Sequence, residues 1–324
     1  MLRKSLFIKF SLILLAVALF FSACARQENA PQGSLDNNRE GEVQTPSNKD
    51  RDKAGTVDEK LIVTSFYPIY VFTVNIAKDV PNVKVVNLTE PQTGCLHDYQ
   101  LLPSDLKTLS KADIFVYNGA GLESFLDKVI EQLPGLKLVE ASKDIPLLKD
   151  ENGEENPHVW VSISGAIEEV RNIADQLSSL DPENKELYMA NSSEYIKKLE
   201  ALKEKMTNSL KDIKTRDIVT FHEAFPYFAQ EFDLNIVAVV EREPGTEPSA
   251  GELREIIEDI NTRGTRVIFA EPQYSPRAAE SIAAQTNAKV YFLDPVATGP
   301  KDAPADSYEK AMEENLKVLV EALK

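Results

Sequence analysis

The chain has three histidines, and each lies in a setting that suits a metal ligand. They are His97, His158 and His222. A neutral imidazole keeps a nitrogen lone pair available near neutral pH, which makes histidine the commonest metal ligand in proteins. Spacing along a chain does not show that side chains converge in space, so three unrelated surface or core histidines are the alternative interpretation. The elements that carry the histidines bear on this choice.

Short β-branched runs alternate with segments of helical periodicity, which is the pattern of parallel sheets with crossover helices. The predicted strands cover residues 61–65, 83–88, 114–117, 136–140, 218–221, 236–240, 267–270 and 290–293. Between the two sets of strands, residues 184–210 contain no glycine or proline and carry apolar residues at roughly helical spacing. A single helix of this length spans about 40 Å, so we interpret it as a rigid connector. A two-helix hairpin broken near residues 191–193 is the alternative.

The predicted fold class is therefore α/β, with two βαβ-type lobes that contain parallel sheets and are joined by one long rigid connecting helix. We place the N-terminal lobe at residues 59–182, the connecting helix at 183–212 and the C-terminal lobe at 213–324. The roughly 265 residues that follow the N-terminal region are enough for two lobes with separate cores.

The candidate ligands all follow predicted strands. His222, Glu271 and Asp294 come directly after strands of the second half, and His97 and His158 lie in loops after strands of the first half. In open α/β sheets, ligands bind outside the carboxyl ends of the strands. These side chains therefore fall at the ligand-binding edges of their sheets, which predicts a metal site in the cleft between the lobes.

The donor types favour zinc. Three imidazoles with a carboxylate or water suit four-coordinate Zn²⁺, whereas Mn²⁺ prefers more oxygen donors. Asp294 is the candidate for the fourth position, and Glu271 is an alternative that could equally cap the next helix. A Cys95 thiolate is conceivable, although a small buried cysteine is the commoner meaning. Asp98 and Glu223 flank histidines and could orient them.

The N-terminus predicts export and anchoring. Basic residues precede an apolar run that closes with Ser22, Ala23 and Cys24, and the run is too short to span a membrane. Residues 1–23 are predicted to be a signal peptide whose end resembles the lipobox of bacterial lipoproteins, with Cys24 lipidated. An ordinary signal cleaved elsewhere is the alternative. Residues 24–58 are polar and predict a flexible tether.

The charge of the chain excludes some partners. The formal net charge is −16, and removal of a signal with three basic residues and no acidic one would take it to −19. A strongly acidic surface argues against nucleic acid and anionic lipid as partners. With Cys24 lipidated, Cys95 is the remaining cysteine, so no intramolecular disulfide is expected.

Eight segments resemble the metal-binding lipoproteins of bacterial zinc and manganese ABC transporters. They are residues 94–99, 103–105, 112–113, 118–126, 156–160, 221–228, 270–275 and 293–295. The resemblance covers essentially residues 60–324, in order. It implies two lobes bridged by a rigid helix, with the metal between them. It also implies delivery of the ion to a membrane permease driven by a cytoplasmic ATPase.

The resemblance also bears on the choice of metal. Zinc-selective members carry histidine as the third ligand and manganese members tend to carry glutamate, so His222 implies Zn²⁺ as the transported ligand. The aspartate that matches Asp294 is a ligand in some members, while water fills that position in others. The chain lacks the histidine-rich loop that many zinc members carry before the second histidine and has an acidic stretch at residues 150–155 instead.

We therefore predict a monomeric, non-enzymatic zinc-capture lipoprotein on the outer face of the cytoplasmic membrane, or on the periplasmic side if the cell has an outer membrane. A manganese-binding member of the same family is one alternative. A zinc hydrolase is another, since an open fourth position also describes catalytic zinc, with Glu223 or Glu271 as a base. No His-Glu-x-x-His motif supports it. A surface adhesin is the third.

Overall fold

The computed structural model describes residues 59–89, 96–149, 153–240, 248–273 and 275–324. The predicted signal peptide, the tether and the lipidated Cys24 lie outside these ranges, as do Cys95 and part of the acidic stretch, so the interpretations that concern them stay predictions. Within the described ranges, no helix combines the length and the apolar character that a membrane span requires.

Eight strands and nine helices form the described part of the chain. The strands are β1 (Lys60–Thr64), β2 (Val83–Asn87), β3 (Ile114–Tyr117), β4 (Lys137–Glu140), β5 (Asp217–Thr220), β6 (Asn235–Val239), β7 (Val267–Ala270) and β8 (Lys289–Phe292). The helices are α1 (Tyr67–Ile76), α2 (Pro103–Leu109), α3 (Leu126–Gln132), α4 (Ile163–Leu180), α5 (Lys185–Ser209), α6 (Pro226–Glu231), α7 (Ala250–Arg263), α8 (Arg277–Thr286) and α9 (Ser307–Leu323). Short 3₁₀ turns lie at Leu96–Asp98, Val159–Val161 and Pro182–Asn184.

The strands form two parallel sheets of the same topology. The first has the order β2-β1-β3-β4 and the second the order β6-β5-β7-β8, and every strand pair is parallel. Each predicted strand is found, with bounds within one residue of the prediction. The predicted α/β fold class is confirmed, and the carboxyl ends of each sheet's strands share one edge, as parallel pairing requires.

The connecting helix α5 runs unbroken from Lys185 to Ser209, about 38 Å at 1.5 Å per residue. The alternative of a hairpin broken at residues 191–193 is wrong. Polar residues there have hydrogen bonds compatible with a helix: Asn191 donates to the backbone oxygens of Ile76 and Lys78, at 3.0 and 2.7 Å. The exact lobe boundaries stay predictions.

The expectation of two separate cores is wrong. One apolar cluster contains residues of both halves, and its largest fully buried side chains include Trp160, Tyr188, Tyr195 and Tyr308. The sheet of each half contributes to this cluster, and α1, α4, α5 and α9 contribute their apolar faces. Because amphipathic helices of both halves bury their faces against one another, the core is continuous. A smaller cluster lies around Phe115 and another around Ile260.

Candidate metal centre

His97 and His158 meet at the carboxyl edge of the first sheet. His97 lies in the 3₁₀ turn Leu96–Asp98, and His158 directly precedes the turn Val159–Val161. The two Nε2 atoms are 3.3 Å apart. Two nitrogens bound to one zinc at about 2.0–2.1 Å with tetrahedral angles are separated by about 3.3 Å. The spacing of this pair therefore fits a shared tetrahedral metal.

His222 joins this pair from the second half. It lies two residues beyond β5, and its ring centroid is 4.7 Å from that of His158 and 6.4 Å from that of His97. Each of the three histidines offers a ligand atom, and these atoms lie within 4.8 Å of one another. His158 and His222 are buried, while His97 is half-buried. The fold thus brings together the three histidines singled out in the sequence.

The environment of His158 keeps its imidazole neutral. Its backbone N–H and its Nδ1 both face Asn156 Oδ1, at 3.0 and 2.9 Å. Burial lowers the pKa of His158 well below its usual value, and His222 and His97 lower it further. A neutral ring whose Nδ1 is occupied in this way presents a lone pair on Nε2, the atom that faces His97.

Glu271 lies behind His222 at the end of β7. Its Oε1 is 3.4 Å from His222 Nδ1, and both side chains are buried. This position leaves His222 Nε2 as the nitrogen turned away from the carboxylate. The contact of Glu271 with His222 favours a role beside this ligand, while the alternative that Glu271 caps α8, which begins at Arg277, stays a prediction.

Asp294 lies two residues beyond β8, and its Oδ1 already accepts two hydrogen bonds. Gln273 Nε2 and the backbone N–H of Val296 each donate to it at 2.8 Å. The backbone of Asp294 is fixed as well, because Asn315 bonds to its N–H and its carbonyl, at 2.9 and 2.7 Å. Burial raises the pKa of Asp294, while Gln273 and Val296 oppose the rise. Asp294 lies outside the group of three converging histidines, so its role as a fourth ligand stays a prediction.

Trp160 packs against the ring of His158. Its ring is fully buried, with its centroid 5.3 Å from that of His158 and 4.8 Å from that of Phe66. Its Nε1 donates to the carbonyl of Pro295 at 2.9 Å, and the Tyr308 hydroxyl donates to the backbone carbonyl of Trp160 at 2.7 Å. The only tryptophan of the chain therefore connects His158 with segments of the first and the second half of the chain.

Two residues that help to hold His158 in place were not identified as site residues from the sequence. Asn156 is the hydrogen-bond partner of His158, and Tyr227 of α6 donates to the carbonyl of Asn156 at 2.7 Å. Asn156 lies two residues before His158, so the sequence alone could have indicated that it contacts this histidine. The contact of Tyr227 could not be predicted, because it depends on packing between the two halves of the chain. The side chain of Asp98 lies outside the described part, and Glu223, which is half-buried, remains a predicted orienting residue.

Comparison with known proteins agrees with this geometry. The family described as zinc-uptake complex component A, periplasmic (ZnuA), matches residues 62–322. The high-affinity zinc uptake system protein ZnuA of Bacillus subtilis is 32% identical over 284 residues, which cover 82% of this chain and 88% of that protein. The structure of the laminin-binding adhesin Lmb of Streptococcus agalactiae is 32% identical, with a TM-score of 0.74 over 81% of this chain and 99% of that chain.

A third relative is longer than this chain. The zinc-binding lipoprotein AdcA of Streptococcus pneumoniae is 31% identical over 332 residues, which cover 96% of this chain and 60% of AdcA. The structure of Zn(II)-bound AdcA has a TM-score of 0.70 and covers 82% of this chain and 58% of that chain. The chain thus spans little more than half the length of AdcA but most of the length of ZnuA. By the extent of the family match and the identity to ZnuA, the chain belongs to the zinc-uptake complex component A family of solute-binding transport proteins.

Proposed function

We propose that this protein captures one Zn²⁺ with His97, His158 and His222 outside the cytoplasmic membrane and delivers it to an ABC permease driven by a cytoplasmic ATPase. The observation that carries the proposal is the convergence of the three imidazoles, two of them at the separation that tetrahedral zinc requires. Family membership supplies the transport partner.

The donor set favours zinc over manganese. Three nitrogen donors suit Zn²⁺, while Mn²⁺ is better matched by carboxylate, carbonyl and water oxygens. Asp294 is our candidate for the fourth donor, and water is the alternative. For Asp294 to bind, its carboxylate has to present an oxygen to the ion while Oδ1 keeps its bonds to Gln273 and Val296. The carboxyl group of Glu271 lies at Nδ1 of His222, where it would orient the ring for a metal at Nε2.

We infer binding without catalysis. A zinc hydrolase needs a base that activates metal-bound water. The buried carboxylate of Glu271 faces Nδ1 of His222, on the side of the ring opposite to a metal at Nε2. This placement suits the orientation of a ligand better than the activation of water. A solute-binding component of a transporter has no need of a catalytic step.

The proposal also includes a membrane anchor at Cys24 and the classes of partner that the net charge disfavours. Lipid chains on Cys24 would hold the monomer at the outer face of the cytoplasmic membrane, with residues 24–58 as the tether. The net charge of −16 disfavours nucleic acid as a partner. Adhesion is the name-giving property of the related Lmb, and nothing in the metal site of this chain bears on it.

A metal titration tests the proposed function. The metal-free chain is titrated with Zn²⁺ and with Mn²⁺, following the fluorescence of the buried Trp160 beside His158 and measuring stoichiometry by elemental analysis. We expect one zinc per chain, bound more tightly than manganese. Replacing His222 by alanine removes one of three donors and should weaken zinc binding strongly. Tighter binding of manganese, or zinc binding that His222→Ala leaves intact, would contradict the proposal.

A further inference from the structure

We propose that Asn156 is a positioning residue for zinc capture, which holds His158 in its metal-binding tautomer and ties it to the segment that carries His222. The inference rests on the proposed zinc function, and it concerns a side chain that contributes no metal ligand itself. Asn156 is buried, so its amide depends on protein partners for its hydrogen bonds.

The acceptor end of the amide fixes the tautomer of His158. The backbone N–H of His158 can only donate, so the atom of Asn156 that lies 3.0 Å from it is the amide oxygen. The same oxygen lies 2.9 Å from Nδ1 of His158. A hydrogen bond at this contact requires a proton on Nδ1, which leaves the lone pair on Nε2. Nε2 is the atom that faces His97.

The donor end of the amide reaches the other half of the chain. Asn156 Nδ2 donates to the backbone carbonyl of Glu223 at 2.8 Å, and Glu223 directly follows His222. A carbonyl can only accept, so this contact independently requires the amide nitrogen at that side. One side chain therefore bonds to the segments that carry two of the three histidines. Aspartate would lose the donor, and alanine would lose both functions.

The backbone around Asn156 is held at several points. Its N–H donates to the carbonyl of Leu148 at 2.8 Å. The hydroxyl of Tyr227 donates to the Asn156 carbonyl at 2.7 Å and accepts from the N–H of Leu148 at 2.9 Å. Asn118 donates to the carbonyl of Pro157 at 3.0 Å. These contacts come from both halves, so the amide is oriented before a metal arrives.

The tautomer can be measured directly in the metal-free full chain. Long-range ¹⁵N–¹H NMR of histidine-labelled protein distinguishes Nδ1–H from Nε2–H rings, and three histidines give a spectrum that His→Gln variants can assign. We expect His158 to be an Nδ1–H tautomer. A His158 ring that carries its proton on Nε2 would overturn the inference. This result depends on neither a variant at Asn156 nor the binding of zinc.

Two variants at Asn156 separate its functions. Asn156→Ala should weaken zinc binding about 10–100-fold, the usual effect of removing a partner that orients a ligand, and should leave His158 as a mixture of tautomers. Asn156→Asp keeps an acceptor, so it should restore the Nδ1–H signal that the alanine variant loses. Failure of the unchanged chain to bind zinc would refute the proposed function, whereas the His158 tautomer of the metal-free chain tests the contact with Asn156 separately.

Asn191→Ala is the matched control. It removes another amide that donates to two backbone carbonyls, those of Ile76 and Lys78, on α5 and away from the histidines. We expect zinc affinity within about twofold of the unchanged chain, in line with a side chain that orients no ligand. If Asn156→Ala matched this control in both affinity and histidine spectrum, the assigned role of Asn156 would be wrong.

Discussion

At the scale of residues, the chemistry of the site comes from neutral nitrogen donors in a buried setting. His158 stays neutral because burial and two neighbouring imidazoles lower its pKa. Sequence reasoning could find the histidines, since each directly follows or lies in a loop after a strand, and strand ends are set by local pattern. It could not find the contact of Asn156 with Glu223 or of Glu271 with His222, because these contacts join segments far apart in the chain.

The identity of the third donor should decide the choice of metal. His222→Glu exchanges a nitrogen donor for oxygen, so we expect the preference for Zn²⁺ over Mn²⁺ to fall by on the order of tenfold or more. The measurement is competitive equilibrium binding of the two ions. Gln230→Glu is the control, because it adds the same charge at an exposed position of α6. Equal selectivity in the two variants would mean that His222 does not set the choice.

At the scale of elements, α4 of the first half packs in the shared core and is capped by a residue of the second half. Its apolar positions recur at helical spacing and face the shared core, and Ser162 caps its first turn by accepting from Gly165 at 3.0 Å. Glu231 of α6 completes the cap, because its carboxylate accepts from the N–H groups of Ile163 and Ser164 at 2.7 and 2.9 Å. The existence of α4 was predictable from periodicity, but a cap supplied by a helix of the other half was not.

Removal of this cap should destabilise the fold. Glu231 is nearly buried and also pairs with Lys203 of α5 at 3.3 Å, so Glu231→Ala leaves helix N–H groups without their acceptor. We expect a loss of about 2–4 kcal/mol in the free energy of unfolding, measured with urea on the metal-free chain.

Glu313→Ala provides the comparison for Glu231→Ala. Glu313 pairs with Lys205 at 2.6 Å, but both side chains are about half exposed. Exposed pairs contribute at most about 1 kcal/mol, so this variant should unfold nearly as the unchanged chain does. Similar losses in both variants would show that α4 does not depend on the carboxylate of Glu231.

At the scale of the whole molecule, two sheets of identical strand order place their carboxyl ends at one site and share one core. The alternation of strands and helices predicted both sheets, and a long stretch of helical periodicity without glycine or proline predicted α5. Chain length suggested separate cores, and periodicity could not correct this, because it tells which face of a helix is apolar but not which partner covers that face. Bonds between the halves, such as Asn75 to the carbonyl of Ala305 at 2.7 Å, reinforce the shared core.

The most direct test of zinc capture by three histidines is X-ray absorption at the zinc edge of the zinc-loaded chain. We predict three imidazole nitrogens and one oxygen at about 2.0–2.1 Å, with no sulfur. A shell with fewer than three imidazoles would contradict the ligand assignment. A sulfur at about 2.3 Å would instead mean that Cys95 binds the metal and that the proposed ligand set must include a thiolate.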